Sequence, residues 1–449
     1  MIPVRAVPTR LAALACGAVM AAASMFPLSA SRVLAETSSG QRSFWIAQNG
    51  TWQHVSCDRS ATGEHITLYS CGSPELPPHD AGILTHVFDS QIFPRDIQLF
   101  GRPRGVRSVN VVMAPLGPMT SGYFDENDQD RSPAGDPAHS NHGNVLYLQS
   151  LALMPDSNKI ADAEESLAHE LQHLINYRIR VVDHNLRPDE PWLNEGLSFY
   201  AQMANGYWTG RDELKLQAAA AQPDWPVTAL QENLDFLRRH ARAAYGRAGL
   251  FLTYLAAHSG PGFIPDIVTN SRPDMTAINT LIRRTTPRRC AGDLFARWGV
   301  AQLLNGSGEY GYGRLIRGHL LQPRLSVSPI RDFPFDSNRE VAGGLTMEPW
   351  TQRYIRLMRA AGTNLNVQVR ASSGVRVAAV MSSSVPPDAV RWLHLGNGHT
   401  ASLQVNNGSR GFVAVTIVAS AAGPLNGDIQ GGAMQLRIRA TSVDAGDNN

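Results

Sequence analysis

Apolar residues change their spacing several times along this chain, and each spacing predicts a different kind of element. From Ile160 to Val182 they return every three to four positions. Leu167, Leu171, Leu174 and Arg178 fall on one side and His169, His173 and Asn176 on another, which predicts a long helix. Asp189-Glu190-Pro191 predicts the start of a second helix running to about Asn205, because a first turn tolerates proline and welcomes negative charge. Ala241 to Ala257 and Thr276 to Leu304 read as further helices, separated by the turn-forming Ser259-Gly260-Pro261-Gly262.

On either side of this helical stretch the pattern is one of strands. Ser43 to Ser70 mixes short apolar runs with polar turns and reads as β-rich, and a helix follows near Ala81 to Ser90. The valine-dense run Ser108 to Leu116 predicts a buried strand. A polar loop from Gly117 to Gly143 leads to a second strand over Asn144 to Leu148, either an interior strand or an edge able to pair with an extended substrate. Beyond about Pro323 the period becomes two: Leu365, Val367 and Val369 alternate with Asn366, Gln368 and Arg370, and Leu436 and Ile438 alternate with Gln435, Arg437 and Arg439. That tail reads as a separate β domain, a sandwich.

The chain therefore belongs to the α+β class. Residues 36–155 form the β-rich first part of one domain, 156–322 its helical part, and 323–449 a C-terminal β-sandwich-like domain. Residues 1–35 stand apart. Arg5 and Arg10 precede an alanine-rich apolar run from Leu11 to about Leu28, and Val33-Leu34-Ala35 has the form of a cleavage site, so this segment reads as a signal peptide. Pro27, Ser29 and Ser31 end the run too early for a membrane-spanning helix. The expectation is a secreted protein, extracellular or periplasmic, with no stable membrane insertion once the signal is removed.

An oxidising compartment changes the reading of the cysteines. Cys16 leaves with the signal, and of Cys57, Cys71 and Cys290 the two that are close in sequence are expected to pair. Cys290 is then either a small buried apolar residue or available to a partner. Lys and Arg number 40 against 38 Asp and Glu, with no dense basic block, so a nucleic-acid partner is excluded.

The candidate chemistry lies on the first predicted helix. His169-Glu170-Leu171-Gln172-His173 sets two imidazoles one turn apart on one face, close enough to share a tetrahedral metal, with Glu170 beside them. A catalytic zinc takes three protein ligands and leaves one position for water, whose pKa it lowers to about 7. Glu195, in Trp192-Leu193-Asn194-Glu195-Gly196 on the next helix, is the third ligand such a site needs. Glu170 is the candidate base that takes the water's proton and later delivers it to a leaving amine. The same ligands would also accept cobalt or nickel.

His169-Glu170-x-x-His173 with Asn194-Glu195-Gly196 resembles the gluzincin metallopeptidases, and Ala168-His169-Glu170-Leu171-Gln172-His173-Leu174-Ile175-Asn176 resembles their hyicolysin family. Val87-Phe88-Asp89, Phe93-Pro94, Phe100-Gly101, Gly122-Tyr123-Phe124-Asp125 and Ser140-Asn141 extend the likeness over roughly Ile66 to Leu304. The resemblance implies a zincin-like catalytic domain, with a mixed sheet, an active-site helix and a helical subdomain. It implies an endopeptidase acting on protein or peptide substrates, with one zinc held by His169, His173 and Glu195 and with Glu170 as base. In the thermolysin branch an aspartate four residues after the ligand glutamate orients a histidine, whereas this chain has Phe199 there. Asn194, Ser198 or a backbone oxygen would have to fix the ring instead.

Tyr245-Gly246-Arg247-Ala248-Gly249-Leu250 resembles the segment that supplies an oxyanion donor in gluzincin aminopeptidases, which nominates Tyr245, with His240 as a rival. That branch also holds the substrate amine with a glycine-x-methionine-glutamate-asparagine segment, absent here, which favours endo cleavage. Asp125, Asn127, Asp128 and Asp130 offer oxygen ligands for calcium, or else form a solvated turn. The reading from another class is an exported binding or adhesion protein with a structural zinc site. Retention of Glu170 argues against it.

Overall fold

The β-rich stretch after residue 39 builds one six-stranded sheet in the computed structural model, which describes residues 40–72, 75–118, 120–129, 139–154, 158–207, 210–230, 234–304, 306, 308–313, 330–334, 340–358, 363–383, 389–396, 398–405, 412–426 and 432–444. The expected signal peptide, Cys16 and Asp130 lie outside these residues, as do the boundaries expected after residues 35, 155 and 322. Strands β1 (Gln41–Gln48) and β2 (Thr51–Thr62) meet at Asn49 and Gly50, whose φ values of 49° and 78° suit the tight turn of a twisted hairpin. Strand β3 (Ile66–Ser70) continues the sheet, and a disulfide from Cys57 to Cys71 ties β2 to its end, as expected.

Helix α1 (Pro78–Val87) passes through a wider π turn over Phe88–Ile92 into α2 (Phe93–Phe100), so the helical segment outruns the expected Ala81 to Ser90. Pro94 has no N–H for the ladder, and the wider turn ahead of it accommodates the loss. Strands β4 (Val109–Ala114), β5 (Gly122–Phe124) and β6 (Val145–Gln149) complete the sheet in the order β1-β2-β3-β4-β6-β5. β3, β4 and β6 run parallel, and β5 pairs antiparallel with β6. β6 is therefore interior, and β5 is the edge.

Asn158 caps helix α3 (Lys159–Tyr177) by accepting from Ala161 N–H, and a π turn carries the chain on to Asp183. Helix α4 (Pro191–Asn205) has the bounds its start signal predicts. Then come α5 (Gly210–Ala221), α6 (Leu234–Ser259), α7 (Phe263–Val268), α8 (Asp274–Thr285) and α9 (Ala291–Leu304). The single helix expected over Thr276 to Leu304 is thus two. Pro287 drives Thr286 out of the helical region, to φ −138° and ψ 82°, and Asp293 restarts the ladder by accepting from Cys290 N–H at 2.8 Å. Leu167, Leu171 and Leu174 of α3 join Met113, Leu146 and Leu148 of the sheet in one apolar core.

The tail forms two facing sheets from β7 (Ile330–Pro334), β8 (Glu340–Met347), β9 (Thr351–Met358), β10 (Thr363–Ala371), β11 (Val375–Ser383), β12 (Ala389–Leu393), β13 (Thr400–Val405), β14 (Phe412–Ala421) and β15 (Met434–Asp444). Their orders are β13-β10-β15-β8 and β12-β11-β14-β9-β7, antiparallel except where β7 lies parallel to β9. Leu365, Val367 and Val369 point inward beside Leu436 and Ile438, as their alternation predicts, and meet Ile355, Val377 and Ile417 from the other sheet. The five-stranded sheet buries its second face as well, since Tyr354, Ala378, Val380 and Val418 pack with Val300 of α9.

Candidate metal centre

Helices α3 and α4 pack side by side, each almost wholly buried, and each carries a polar stripe through an otherwise apolar surface. On α3 the stripe is Glu165, His169, Gln172, His173 and Asn176, and on α4 it is Glu195, Ser198 and Gln202. Helix α6 holds α4 from behind at close range. A Cβ on Gly249 would lie 2.1 Å from the Phe199 ring, so that position must be glycine for the two helices to meet.

The facing stripes bring together the three residues expected to bind a metal. His169 Nε2 lies 3.1 Å and His173 Nε2 3.7 Å from Glu195 Oε2, and the three donor atoms all fall within 4.8 Å of one another. Metal–ligand bonds of about 2.1 Å in a tetrahedron give edges of about 3.4 Å. The two measured separations straddle that value, so the donor set fits a divalent ion of this size. Side-chain exposures of 14%, 9% and 18% leave the centre reachable from solvent. Among the described residues this is the one cluster of three or more such donors.

Charge at the centre agrees with the geometry. Burial opposes the charge on His173, but the carboxylates of Glu195 and Glu170 outweigh it and raise the imidazole to about 9. Burial also pushes Glu195 up, yet the two imidazoles hold it well below the usual carboxylate range. The point where these atoms converge draws positive charge.

The imidazole nitrogens turned away from that point are engaged. His169 Nδ1 lies 2.9 Å from Gln202 Oε1, and Gln202 Nε2 donates to Glu165 Oε1. Ser198 Oγ lies beside the His173 ring, 3.1 Å from Nδ1 and 3.3 Å from Nε2, and donates to Gln172 Oε1. Asn194 also hydrogen-bonds His173, and Asn176 links it to the buried Asp189–Arg180 ion pair. Two of the three expected supports, Asn194 and Ser198, are thus in place at His173. The support of His169 was not foreseen. Phe199 is fully buried in the apolar core, and the polar group that reaches His169 comes from Gln202 instead.

Glu170 faces the edge strand. Its carboxylate accepts from the Phe124 N–H of β5, and burial raises its pKa above the ordinary value against the pull of His169 and His173. Gly122 permits this approach, since a Cβ there would lie 2.9 Å from the Tyr147 carbonyl and 3.1 Å from Glu170 Cγ.

Tyr245 is half-buried on α6, one turn before Ala248 and Gly249, which touch Gly196 and Phe199 of α4, and the Lys215 ammonium sits 5.9 Å from its ring centroid. The rival His240 stacks on Trp225 at 4.2 Å. In the acidic loop Asp128 accepts from Tyr147 Oη and Asn141 N–H, and Asp125 from Asn127, while Asp130 lies outside the described residues. Cys290 is unpaired in the disulfide sense and half-buried, with Arg376 donating to its sulfur at 3.1 Å. A cavity of about 460 Å³ lies by the start of α3, lined by Ser70, Met113, Ser150 and Asn158, and none of the metal donors lines it.

No protein-family model matches the chain, and no curated protein is similar to it. Solved structures similar to a part of it include PliG, a periplasmic inhibitor of g-type lysozyme from Aeromonas hydrophila, at 10% identity and TM-score 0.19, over 25% of this chain and 96% of that one. The pre-peptidase C-terminal domain of a Bacillus anthracis collagenase is similar at 13% identity and TM-score 0.18, over 25% of this chain and 94% of that one. PliG of Salmonella Typhimurium follows at 7% identity and TM-score 0.17, over 25% and 98%. Likeness at this level says nothing of this chain's chemistry.

Proposed function

We propose that the chain is an exported zinc endopeptidase, of the kind its resemblance to the hyicolysin family implies. The observation that carries this reading is the convergence of His169, His173 and Glu195 with Glu170 beside them. Zinc, when bound by these three residues, would supply Lewis acidity and make a water acidic near neutral pH. Glu170 accepts that water's proton as oxygen attacks the scissile carbonyl carbon. It then passes the proton to the amide nitrogen as the C–N bond breaks, leaving a carboxylic acid and an amine.

The exposed edge of β5 offers a peptide main chain a strand to lie against, beside the base. Tyr245 is the candidate hydroxyl donor to the oxyanion. The Cys57–Cys71 disulfide supports maturation in an oxidising compartment, and no described helix is long and apolar enough to cross a membrane. The test is cleavage of casein by the full chain, with and without a chelator, beside Glu170→Gln. Cleavage that the chelator and the substitution both abolish supports the reading. A parent that binds zinc and cuts nothing, with the substitution changing nothing, overturns it.

A further inference from the structure

We infer that Glu165 and Gln202 form a relay that fixes His169 in the one tautomer able to bind the metal, which makes both of them positioning residues. The inference rests on the reading of His169, His173 and Glu195 as a metal site. Glu165 lies one turn before His169 on α3, and Gln202 two turns after Glu195 on α4. All but a few per cent of both residues is buried, at 6% and 2% exposure.

The Gln202 amide is the middle link of the relay. A glutamine side chain turned end for end fills the same space, so its partners decide which end points where. Glu165 accepts, so the amide presents its NH₂ to that side. Only the amide oxygen is left for His169, 2.9 Å from Nδ1, and an oxygen there requires the proton to sit on Nδ1. Nε2 hydrogen-bonds Glu195 Oε2 at 3.1 Å, and with Nδ1 keeping its proton directed at Gln202 it is Nε2 that gives up its own when a cation enters and so carries the lone pair. Glu165 thus sets the amide, the amide sets the ring, and the ring offers the metal a free electron pair. The interposed amide also keeps the carboxylate from touching the ring, so His169 is oriented without a second anion against it.

The experiment measures zinc affinity on the metal-free full chain, by competition with a chromophoric chelator, alongside the melting temperature of each metal-free variant. Gln202→Leu is expected to weaken zinc binding about 10- to 100-fold. Glu165→Met is expected to weaken it in the same direction and by less. The exchanged pair Glu165→Gln with Gln202→Glu restores an acceptor opposite Nδ1 and a donor behind it, and is expected to recover the parental affinity. The relay is overturned if folded Gln202→Leu binds zinc like the parent, or if the exchanged pair binds no better than the single leucine variant. Should Gln202→Leu fail to fold, Glu165→Met and the exchanged pair decide alone, parental affinity in the first or no recovery in the second overturning the relay. His169→Ala separates the two readings: if the parent binds no zinc, or binds it no better than His169→Ala, the metal site itself is wrong.

Discussion

Two buried polar clusters, one at the metal donors and one at the seam between α6, α9 and the sandwich, use similar side chains to opposite ends. At the seam, Gln352 is fully buried and takes hydrogen bonds from Gln302 at 2.6 Å and Arg247 at 3.4 Å, while its own amide donates to the Phe295 carbonyl. Tyr354 donates to the Gly299 carbonyl, and the Arg247 guanidinium lies 5.0 Å from the Trp298 ring centroid. These bonds run across the two halves. At the donors of α3 and α4, two imidazole Nε2 atoms and a carboxylate oxygen crowd one point, while Gln202 and Ser198 already occupy the outward nitrogens. A cluster whose hydrogen bonds cross between two halves holds a fold together, even with Arg247 Nε and Nη1 and Gln302 Oε1 left without partners. One that gathers two imidazoles and a carboxylate at a shared point, where they hydrogen-bond one another, can also hold a cation.

That contrast can be broken or sharpened by substitution, most severely at Glu170. Glu170→Gln is expected to lower casein cleavage about a thousandfold while zinc stoichiometry, read by metal analysis, stays at the parental value. Tyr245→Phe is expected to lower kcat about a hundredfold with KM little changed, and an unchanged kcat would remove Tyr245 from the reaction. Gln352→Leu should do the reverse of both. It strands the partners Gln302 and Arg247, and is expected to cost about 2 kcal/mol of stability in urea unfolding with zinc affinity untouched. If it weakens zinc binding instead, seam and centre are one cluster.

A further effect, confined to one pH range, concerns an acid that belongs to neither. Burial raises Asp274 to about 7, against the Trp192 indole that donates to it. An acid held above its unfolded value near 4 binds its proton more tightly when folded. Its contribution is therefore full at low pH and is lost as pH rises from about 4 to about 7. Asp274→Asn is expected to melt with the parent near pH 4 and above it near pH 8. A constant difference across that range would refute the titration.

How much of this was legible depended on whether a residue's role lies within its own element. His169, Glu170 and His173 announce themselves by helical spacing and residue type, and Glu195 by a start signal that gave α4 its bounds. Gln202 and Glu165 do not, because an amide in an apolar helix acquires its meaning from a partner 33 to 37 positions away. β5 spans three residues, too few to show a period, which is why the sequence left β6 undecided between edge and interior. β10 alternates legibly because one of its faces is wet, whereas β11 and β14 run apolar without alternation because their sheet is covered on both sides.

That doubly covered sheet also bears on when the protein becomes whole. Trp350, at the mouth of β9, sits in the same core as α3, and the Gln352 N–H donates to the Pro223 carbonyl. Chains emerge from the ribosome N-terminus first, at about 5–20 residues per second, so the helices bearing the donors are made while the surfaces meant to cover α6 and α9 do not yet exist. Their frame closes only when β9 and β14 arrive. The scaffold around the donors of α3 and α4 thus gains its last covering surfaces only when the final third of the chain has been made.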